Sequence, residues 1–500
     1  MARSSILTYD RGTLILHPPP KGKAWVEFAT WDDRIEKFRI PAWQYRHLVL
    51  ALKAEGVELV DKARGYGDLE LTFGAYREPY SHQQEALDAW KAAGRNGFVV
   101  LPTAAGKTYL AHLAIQATRR STLILVPTLD LMHQWYAGLL TSFPDSDVGL
   151  LGGGSKDRSA ILVSTYDSAA IHAETLGSQY GLLVFDECHH LPTDFNRVIA
   201  DFSLAPFRLG LSATPERSDG RHELLTELIG PELYRRSAEE LSGSALAPHD
   251  LVQIKVTLSE EERSRYDELM ALRNQFLKDA KIFLGTLEGW QRFVGASARS
   301  TQGRRAMLAH REARSISFGT EAKIRVLGEL LERHYPDRTL IFTDDNATVY
   351  RISNALLVPA ITHQTPVKER HEILQRFRSG AYNVLVASRV LNEGVDVPEA
   401  SVAIVLSGTG SIREHVQRLG RVLRRGSDPT KRAVMYEVVA EDTNEVGVSK
   451  RRYAEGKGPK QLEVLPGKKV EKGKSGQKTS YPNARPRVPR AAEDLGDWDG

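Results

Sequence analysis

The sequence has very little cysteine and no long apolar run. Its 500 residues contain one cysteine, Cys188, which excludes an internal disulfide framework and is typical of a reducing cytoplasm. No apolar stretch approaches the roughly 20 residues needed to cross a bilayer, and Met1 to Asp10 does not have the pattern of a signal peptide. We therefore expect a cytoplasmic protein with no membrane partner.

The sequence also has little excess of either charge sign, since the net charge is only +4. The distribution is more informative, because lysine and arginine dominate a stretch near the C-terminus that is rich in glycine and proline. This composition predicts a disordered basic tail over 454–500, which either solubilises the chain or makes weak contact with nucleic acid.

Apolar strands alternate with helical segments through most of the chain, which predicts parallel sheets covered on both faces. The predicted fold class is α/β, with two such sheet domains in tandem, a small N-terminal α+β module and a helical insertion. The expected limits are 1–70 for the N-terminal module, 71–250 for the first sheet domain, 255–315 for the insertion, 316–453 for the second sheet domain and 454–500 for the tail.

Residues 101–108 read Leu-Pro-Thr-Ala-Ala-Gly-Lys-Thr between an apolar strand and a helix. A loop of this kind aims backbone N–H groups at an anion, and the helix N-terminus adds partial positive charge. Lys107 would reach the β- and γ-phosphates of a nucleotide, and the Thr108 hydroxyl would bind Mg²⁺. The pattern departs from a standard P-loop at Leu101, so a plain turn with a stray Gly-Lys-Thr is the alternative. The candidate nucleotide contacts are Ala104, Ala105, Gly106, Lys107 and Thr108.

A second nucleotide motif follows about 80 residues later, where the buried strand Gly181 to Phe185 ends in Asp186 and Glu187. Ligands bind at this edge of a parallel sheet. Asp186 would hold Mg²⁺ through its waters, and Glu187 would orient and deprotonate the attacking water. An acidic strand end that faces solvent is the alternative.

Two further segments would connect the nucleotide to the rest of the protein. Ser212 and Thr214 close a strand and could hydrogen-bond to the loop that carries the two carboxylates. Gln83 precedes the P-loop and could read adenine with its paired donor and acceptor, although an ordinary exposed glutamine is the alternative.

In the second half, Arg418, Arg421 and Arg424 are spaced by three and would share one helix face. Three like charges on one face favour an anion opposite them, either a transferring phosphoryl group or nucleic-acid phosphates; a solvated basic face is the third interpretation. The Gly/Pro-punctuated turn over 390–398 precedes them and would lie at the cleft between the domains.

In order along the chain, these blocks resemble the superfamily 2 helicases and translocases. The blocks are Gln83; Gly106-Lys107-Thr108; Val126-Pro127-Thr128 with Gln134-Trp135; Ser164-Thr165-Tyr166; Asp186-Glu187-Cys188-His189; Ser212-Ala213-Thr214; Phe342-Thr343-Asp344; Glu393-Gly394-Val395-Asp396; and Gln417 to Arg424.

Within that superfamily the chain is similar to the XPB type in its short archaeal and bacterial form. The similarity rests on Tyr9 to Leu14 with Pro41 to Arg46, on Gln417 to Arg424, and on Glu441-Asp442-Thr443. It implies two RecA-like domains, a damage-recognition module, a thumb-like insertion, and ATP-driven 3′-to-5′ movement on single-stranded, forked or damaged DNA with Mg²⁺. It also implies a nuclease partner.

The resemblance also assigns roles to particular residues. Arg421 and Arg424 would act as arginine fingers, and Glu393, Gly394, Asp396 and Gln417 would contact nucleotide from the second domain. The strand-gripping candidates are Thr128, Gln134, Thr165, Thr343 and Ser388, with Arg217 and Asp219. Trp135 is interpreted as core packing rather than as a base stacker.

One departure concerns unwinding. The family's Arg-Glu-Asp element is Arg217-Ser218-Asp219 here, so the middle carboxylate is missing and strand separation stays open. Two other functions remain as alternatives: an RNA-dependent ATPase or helicase, and a DNA-damage-binding protein with weak ATPase activity.

Overall fold

The structure, a computed structural model, describes residues 4–217, 219–284, 286–388, 400–407, 432–452 and 460–462. It begins with a mixed five-stranded sheet of order β3-β4-β2-β1-β5, packed against one helix. The elements are β1 (Ser5–Asp10), β2 (Thr13–His17), β3 (Thr30–Asp32), β4 (Lys37–Pro41), α1 (Tyr45–Ala54) and β5 (Leu59–Asp61).

The second sheet has eight strands in the order β13-β6-β12-β11-β7-β10-β8-β9, parallel except for the β8–β9 hairpin. Its strands are β6 (Asn96–Val100), β7 (Thr122–Val126), β8 (Val148–Gly152), β9 (Ser155–Lys156), β10 (Ile161–Thr165), β11 (Leu182–Asp186), β12 (Phe207–Ser212) and β13 (Glu232–Arg235). Its helices are α2 (Ser81–Ala92), α3 (Lys107–Thr118), α4 (Leu129–Ser142), α5 (Tyr166–Ile171), α6 (Ala173–Leu176), α7 (Val198–Asp201) and α8 (Leu224–Leu228).

The third sheet is parallel throughout and has the order β16-β17-β15-β18-β19-β14-β20. Its strands are β14 (His249–Val256), β15 (Thr339–Phe342), β16 (Ala360–Ile361), β17 (Val384–Ala387), β18 (Val402–Val405), β19 (Ala433–Ala440) and β20 (Lys460–Leu462). The helices of this half are α9 (Glu260–Asp279), α10 (Leu287–Arg299), α11 (Thr301–Gly319), α12 (Glu321–Arg333), α13 (Asn346–Leu356), α14 (Val367–Ser379) and α15 (Asn444–Arg452).

The predicted α/β class with two tandem parallel sheets is confirmed. Central strands such as β7, β10 and β11 are buried along their whole length, as expected for a sheet with helices on both faces. Of the helices in the described ranges, none combines the length and apolar character that a membrane span requires.

Two segments differ from the interpretation of the sequence. Residues 249–256 form β14, which pairs with β19 in the third sheet, so the predicted helical insertion begins at α9, where Ser259 caps the helix. Within the tail predicted to be disordered, residues 460–462 are a strand, because they pair in parallel with the edge of β14. The remainder of the tail lies outside the described residues, and the domain limits themselves stay predictions.

The N-terminal module docks on the second sheet through polar contacts to backbone carbonyls. The Tyr9 hydroxyl donates to the Phe202 carbonyl at 3.0 Å. The Arg46 guanidinium donates to the carbonyls of Gly94 and Pro206 at 2.7 and 2.9 Å. These contacts fix the module on the face formed by the loops before β6 and β12.

Candidate active site

Residues 101–106, which we call the P-loop, lie between β6 and α3, and two of them have left-handed backbone conformations. Ala104 has a φ of 70°, and Gly106 has a φ of 80° immediately before α3 begins at Lys107. An alanine at positive φ costs free energy, which indicates that the surrounding structure fixes this turn. No side chain caps the first turn of α3, so its N–H groups are available for phosphate oxygens.

Gln83 is buried and uses its amide to hold the P-loop. Its Nε2 donates to the carbonyls of Ala105 and Gly106 at 3.3 and 3.2 Å, and its Oε1 accepts the Tyr80 backbone N–H at 3.0 Å. A Cβ on Gly106 would lie 2.2 Å from Gln83 Nε2, and the φ of 80° independently favours glycine there. The amide that we predict to read adenine is thus engaged by the protein in this conformation.

Lys107 lies between the loop and the acidic motif. Its Nζ donates to the Leu101 carbonyl at 3.1 Å and is 4.0 Å from Glu187 Oε1. Thr108, the next residue of α3, is exposed. The structure therefore brings Lys107 and Glu187 together, 80 residues apart in sequence.

Asp186 and Glu187 follow from the end of β11, but their environments differ. Asp186 is buried, its Oδ2 accepts the Trp135 indole N–H at 2.7 Å, and its Oδ1 accepts the Glu187 backbone N–H at 3.1 Å. Burial and the neighbouring Glu187 charge raise the pKa of Asp186 to about 6, against the opposing effects of Lys107 and Trp135. Glu187 has a φ of 46°, a left-handed conformation that turns its side chain toward Lys107.

Behind the carboxylates, β12 and the histidine after Glu187 form a small polar network. His189 Nδ1 lies 3.2 Å from Ser212 Oγ and 3.5 Å from Glu187 Oε2. The Ser212 hydroxyl also accepts the Thr214 backbone N–H at 3.2 Å. The network places Ser212 beside the loop that carries the two carboxylates.

Arg217 and Asp219, predicted to contact nucleic acid, pair with each other. The Arg217 guanidinium is bidentate on the Asp219 carboxylate at 2.9 and 2.6 Å, and it donates to the His189 carbonyl at 2.7 Å. In this conformation Arg217 therefore ties its loop to the segment after Glu187.

Thr128 and Thr165 are helix N-caps at neighbouring strand ends. Thr128 Oγ1 accepts the Leu131 N–H at 3.3 Å at the start of α4, and Thr165 Oγ1 accepts the Ser168 N–H at 3.2 Å at the start of α5. Gln134 is exposed on α4. Thr128 and Thr165 therefore lie at the carboxyl edge of the second sheet, and Gln134 lies in the second turn of α4.

The candidates on the third sheet are less accessible. The Thr343 side chain is fully buried and its hydroxyl bonds to Ser407 Oγ at 2.8 Å, while Ser388 is buried and its N–H donates to the Ile361 carbonyl. Across the two halves, Arg370 on α14 lies 3.5 Å from Asp130 on α4. The remaining predicted site residues, Glu393, Gly394, Asp396, Gln417, Arg421 and Arg424, lie outside the described residues.

Sequence reasoning missed two residues of this site. Trp135 was expected only to pack, and Ser407 was not considered. A tryptophan on a buried helix face carries an N–H that needs an acceptor, and this requirement is the sequence signal that could have indicated a polar neighbour. No comparable signal marks Ser407.

Three family models match the chain in order. The Xeroderma pigmentosum group B helicase damage recognition domain matches residues 7–63, the Type III restriction enzyme, res subunit, matches residues 77–217, and the Helicase conserved C-terminal domain matches residues 322–426. Together with the two parallel sheets, these matches define the class: a superfamily 2 helicase.

Curated relatives narrow the class to a family. The chain is 39% identical to the DNA 3'-5' translocase XPB2 of Sulfurisphaera tokodaii, over 89% of this chain and 99% of the relative. It is 33% identical to the DNA 3'-5' helicase XPB of Kineococcus radiotolerans over 73% of this chain, and it spans only 60% of that relative. The chain belongs to the XPB-type superfamily 2 helicases and translocases, which are ATP-dependent enzymes, and the predicted family is confirmed.

Among solved structures, the crystal structure of the Pyrococcus furiosus Hef helicase domain is similar in fold. The match has a TM-score of 0.52 and 19% identity, and it covers 74% of this chain and 97% of that domain. At this identity the similarity supports the fold alone.

Proposed function

We propose that this enzyme hydrolyses ATP with Mg²⁺ and uses the energy to move 3′ to 5′ along DNA, in the service of DNA repair. The proposal is supported by relatives named DNA 3'-5' translocase and helicase, and by a damage recognition domain at residues 7–63. The observation that carries it is the approach of Lys107 and Glu187, with Nζ and Oε1 4.0 Å apart, beside a buried Asp186.

The donor set fits a nucleotide with a hard divalent cation. The Thr108 hydroxyl and the Asp186 carboxylate are oxygen ligands, which Mg²⁺ prefers, and both lie at the P-loop edge of the sheet. When bound, Mg²⁺ would neutralise charge that develops on the β- and γ-phosphates.

The two remaining groups have complementary roles. The Lys107 ammonium group lies between the Leu101 carbonyl and the Glu187 carboxylate. The phosphate oxygens of a bound nucleotide would compete with these two groups for its hydrogen bonds. Once Lys107 turns to phosphate, the Glu187 carboxylate is free to accept a proton from the attacking water. Arg421 and Arg424 would stabilise the transferring phosphoryl group from the second sheet domain, and this assignment stays a prediction.

Glu187→Gln tests the hydrolytic step. We expect the rate of phosphate release to fall about 10²- to 10⁴-fold, because the general base is lost while the side-chain volume is kept. Binding to single-stranded DNA should be unchanged. The matched control is Glu174→Gln, an exposed carboxylate on α6 of the same half, which should hydrolyse ATP at the wild-type rate. A Glu187→Gln enzyme with wild-type turnover would remove Glu187 from the mechanism.

The substrate is tested by measuring ATPase stimulation with single-stranded DNA and with RNA of the same length. Stimulation by DNA alone supports the proposal, and equal or stronger stimulation by RNA would favour an RNA-dependent ATPase. A wild-type rate indifferent to both polymers would contradict a motor on nucleic acid.

Movement and unwinding are separated by a forked-duplex displacement assay run beside displacement of streptavidin from biotinylated DNA. The Arg217 guanidinium is already hydrogen-bonded to Asp219 and to the His189 carbonyl. We therefore propose that the enzyme displaces streptavidin from DNA more efficiently than it separates the strands of a forked duplex. The nuclease partner and the cytoplasmic location stay proposals, which rest on the family resemblance and on the single buried cysteine, Cys188.

A further inference from the structure

Trp135 makes a contact that packing alone does not require. Its ring is 1% exposed in the core beneath α4, and its indole N–H donates to Asp186 Oδ2 at 2.7 Å. A phenylalanine would keep an aromatic ring at this position but would lack the N–H. The hydrogen bond joins a residue in the middle of α4 to the carboxylate at the end of β11, 51 residues away.

A second buried tryptophan in the same half provides a comparison. Trp90 is also 1% exposed, but its indole N–H donates to the Arg208 backbone carbonyl at 2.9 Å. Both indoles satisfy the rule that a buried N–H finds an acceptor. Only Trp135 directs its N–H to an ionisable oxygen of the candidate site, where a charge-assisted bond is shorter and stronger.

The two donors on Asp186 fix the orientation of its carboxylate. The Glu187 backbone N–H bonds to Oδ1 and the Trp135 indole bonds to Oδ2, so rotation of the carboxylate plane would break both bonds. Each oxygen retains a lone pair that can face a cation or its waters. Rotation of Asp186 is thus limited before any ligand arrives.

Trp135 is itself held in place. Its ring meets the His112 ring edge-on with centroids 5.7 Å apart, and His112 Nδ1 lies 2.9 Å from Ser142 Oγ on the same helix as Trp135. Thr128 caps that helix seven residues earlier, about 10 Å along the axis. The indole N–H therefore points at Asp186 from a rigid element.

We propose that Trp135 is a positioning residue that orients Asp186 for Mg²⁺ through its indole N–H. This inference rests on the proposed function, in which Asp186 holds the Mg²⁺ of the bound nucleotide. Hydrogen-bonding partners of metal ligands typically contribute about 10- to 100-fold to metal affinity. Loss of the indole N–H should therefore weaken the response to Mg²⁺ rather than nucleotide binding in general.

The test compares Trp135→Phe with Trp90→Phe in the full chain. Thermal stabilisation by a non-hydrolysable ATP analogue is measured across a Mg²⁺ titration, together with analogue binding in the absence of Mg²⁺. We expect Trp135→Phe to need about 10-fold more Mg²⁺ for half of the stabilisation, with Mg²⁺-free binding unchanged. Trp90→Phe, which loses an indole N–H bond to a backbone carbonyl, should follow the wild-type titration.

A measurement on the wild-type protein does not depend on the folding of any variant. In ¹⁵N–¹H spectra of the tryptophan indoles, the Trp135 resonance should shift when Mg²⁺ is added to the analogue-bound protein, while the Trp90 resonance stays in place. A Trp135 resonance indifferent to Mg²⁺ would overturn the inference.

Other outcomes are equally decisive. A Trp135→Phe titration identical to wild type, or equal shifts in both variants, would reduce Trp135 to a packing residue. If the wild-type protein itself bound the analogue and hydrolysed ATP without regard to Mg²⁺, the proposed function of Asp186 would fail, and that result is distinct from a failure of Trp135 alone.

Discussion

Arg208, at the start of β12, is a buried cation that is held mainly by backbone carbonyls. It is 7% exposed, and its guanidinium donates to the carbonyls of Leu228, Ala200 and Ser203. Leu228 is the last residue of α8, and Ala200 lies in α7. The last carbonyls of a helix have no partner within it, and the Arg208 side chain donates to such carbonyls in two short helices. Among the described residues, no ion pair involves Arg208.

The cost of Arg208→Met follows from these contacts. Three hydrogen bonds from a charged donor, at about 1.5–3 kcal/mol each, amount to about 5–9 kcal/mol. Burial lowers the pKa of Arg208 to about 10, well below its ordinary value. Relief of that burial on removing the charge returns about 3 kcal/mol, at 1.36 kcal/mol per pKa unit. The net loss of folding free energy should be about 2–6 kcal/mol, and the local stability of the second sheet should fall the most.

The assay is hydrogen exchange of the full chain, read on peptides that cover α7, β12 and α8, together with the denaturant midpoint. Arg34→Met is the matched control, because the Arg34 side chain is 83% exposed and pairs with Asp32 at 2.9 Å. Its effect on the denaturant midpoint should be negligible, because exposed ion pairs contribute little to stability. If the amides of α7, β12 and α8 exchanged no faster in the Arg208→Met variant than in the Arg34→Met variant, the bonds from Arg208 to the buried carbonyls would not stabilise this region.

Three further predictions concern pH, docking and salt. Burial lowers the pKa of His112 to about 4, so its neutral form contributes stability that is present above pH 6.5 and lost as the pH falls to about 4. Denaturation measured across that range should show a loss of about 3 kcal/mol that His112→Phe removes, and an unchanged acid dependence in the variant would contradict it. Tyr9→Phe removes the hydroxyl bonded to the Phe202 carbonyl and should cost about 1 kcal/mol, seen as faster proteolysis within residues 4–61; equal cleavage of both proteins would exclude the contact. Asp130→Asn breaks the pair with Arg370 between α4 and α14, and its effect on the denaturant midpoint should be at most about 1 kcal/mol and should vanish at 1 M salt; an effect that persists there would not be electrostatic.

Much of the fold follows from local pattern. The apolar runs at Thr122–Val126 and Val384–Ala387 form parallel strands, as the predicted alternation of strands and helices requires, because a buried parallel strand needs an unbroken apolar sequence. The Gly-Lys-Thr turn similarly predicts a loop followed by a helix, which is found as α3. These features depend on neighbouring residues in the chain and can be recognised without a partner segment.

Pairings between distant segments could not be predicted in the same way. Strand β14 lies next to β19 rather than in the second sheet, and β20 adds to its other side. Neither segment is distinctive alone, since backbone hydrogen bonds are formed with any partner edge that the tertiary structure supplies. Sheet membership is therefore a property of the assembled fold.

The sequence alone determined the strand and helix pattern, the α/β class, the resemblance to superfamily 2 and the residue types of the nucleotide site. Only the tertiary structure decided that Gln83 bonds to the P-loop, that Thr343 is buried, and that the Trp135 indole reaches Asp186. The physical reason is the range of the interactions. Periodicity and turn chemistry act over a few residues, whereas a buried donor takes whichever acceptor the packing of distant elements brings within about 3 Å.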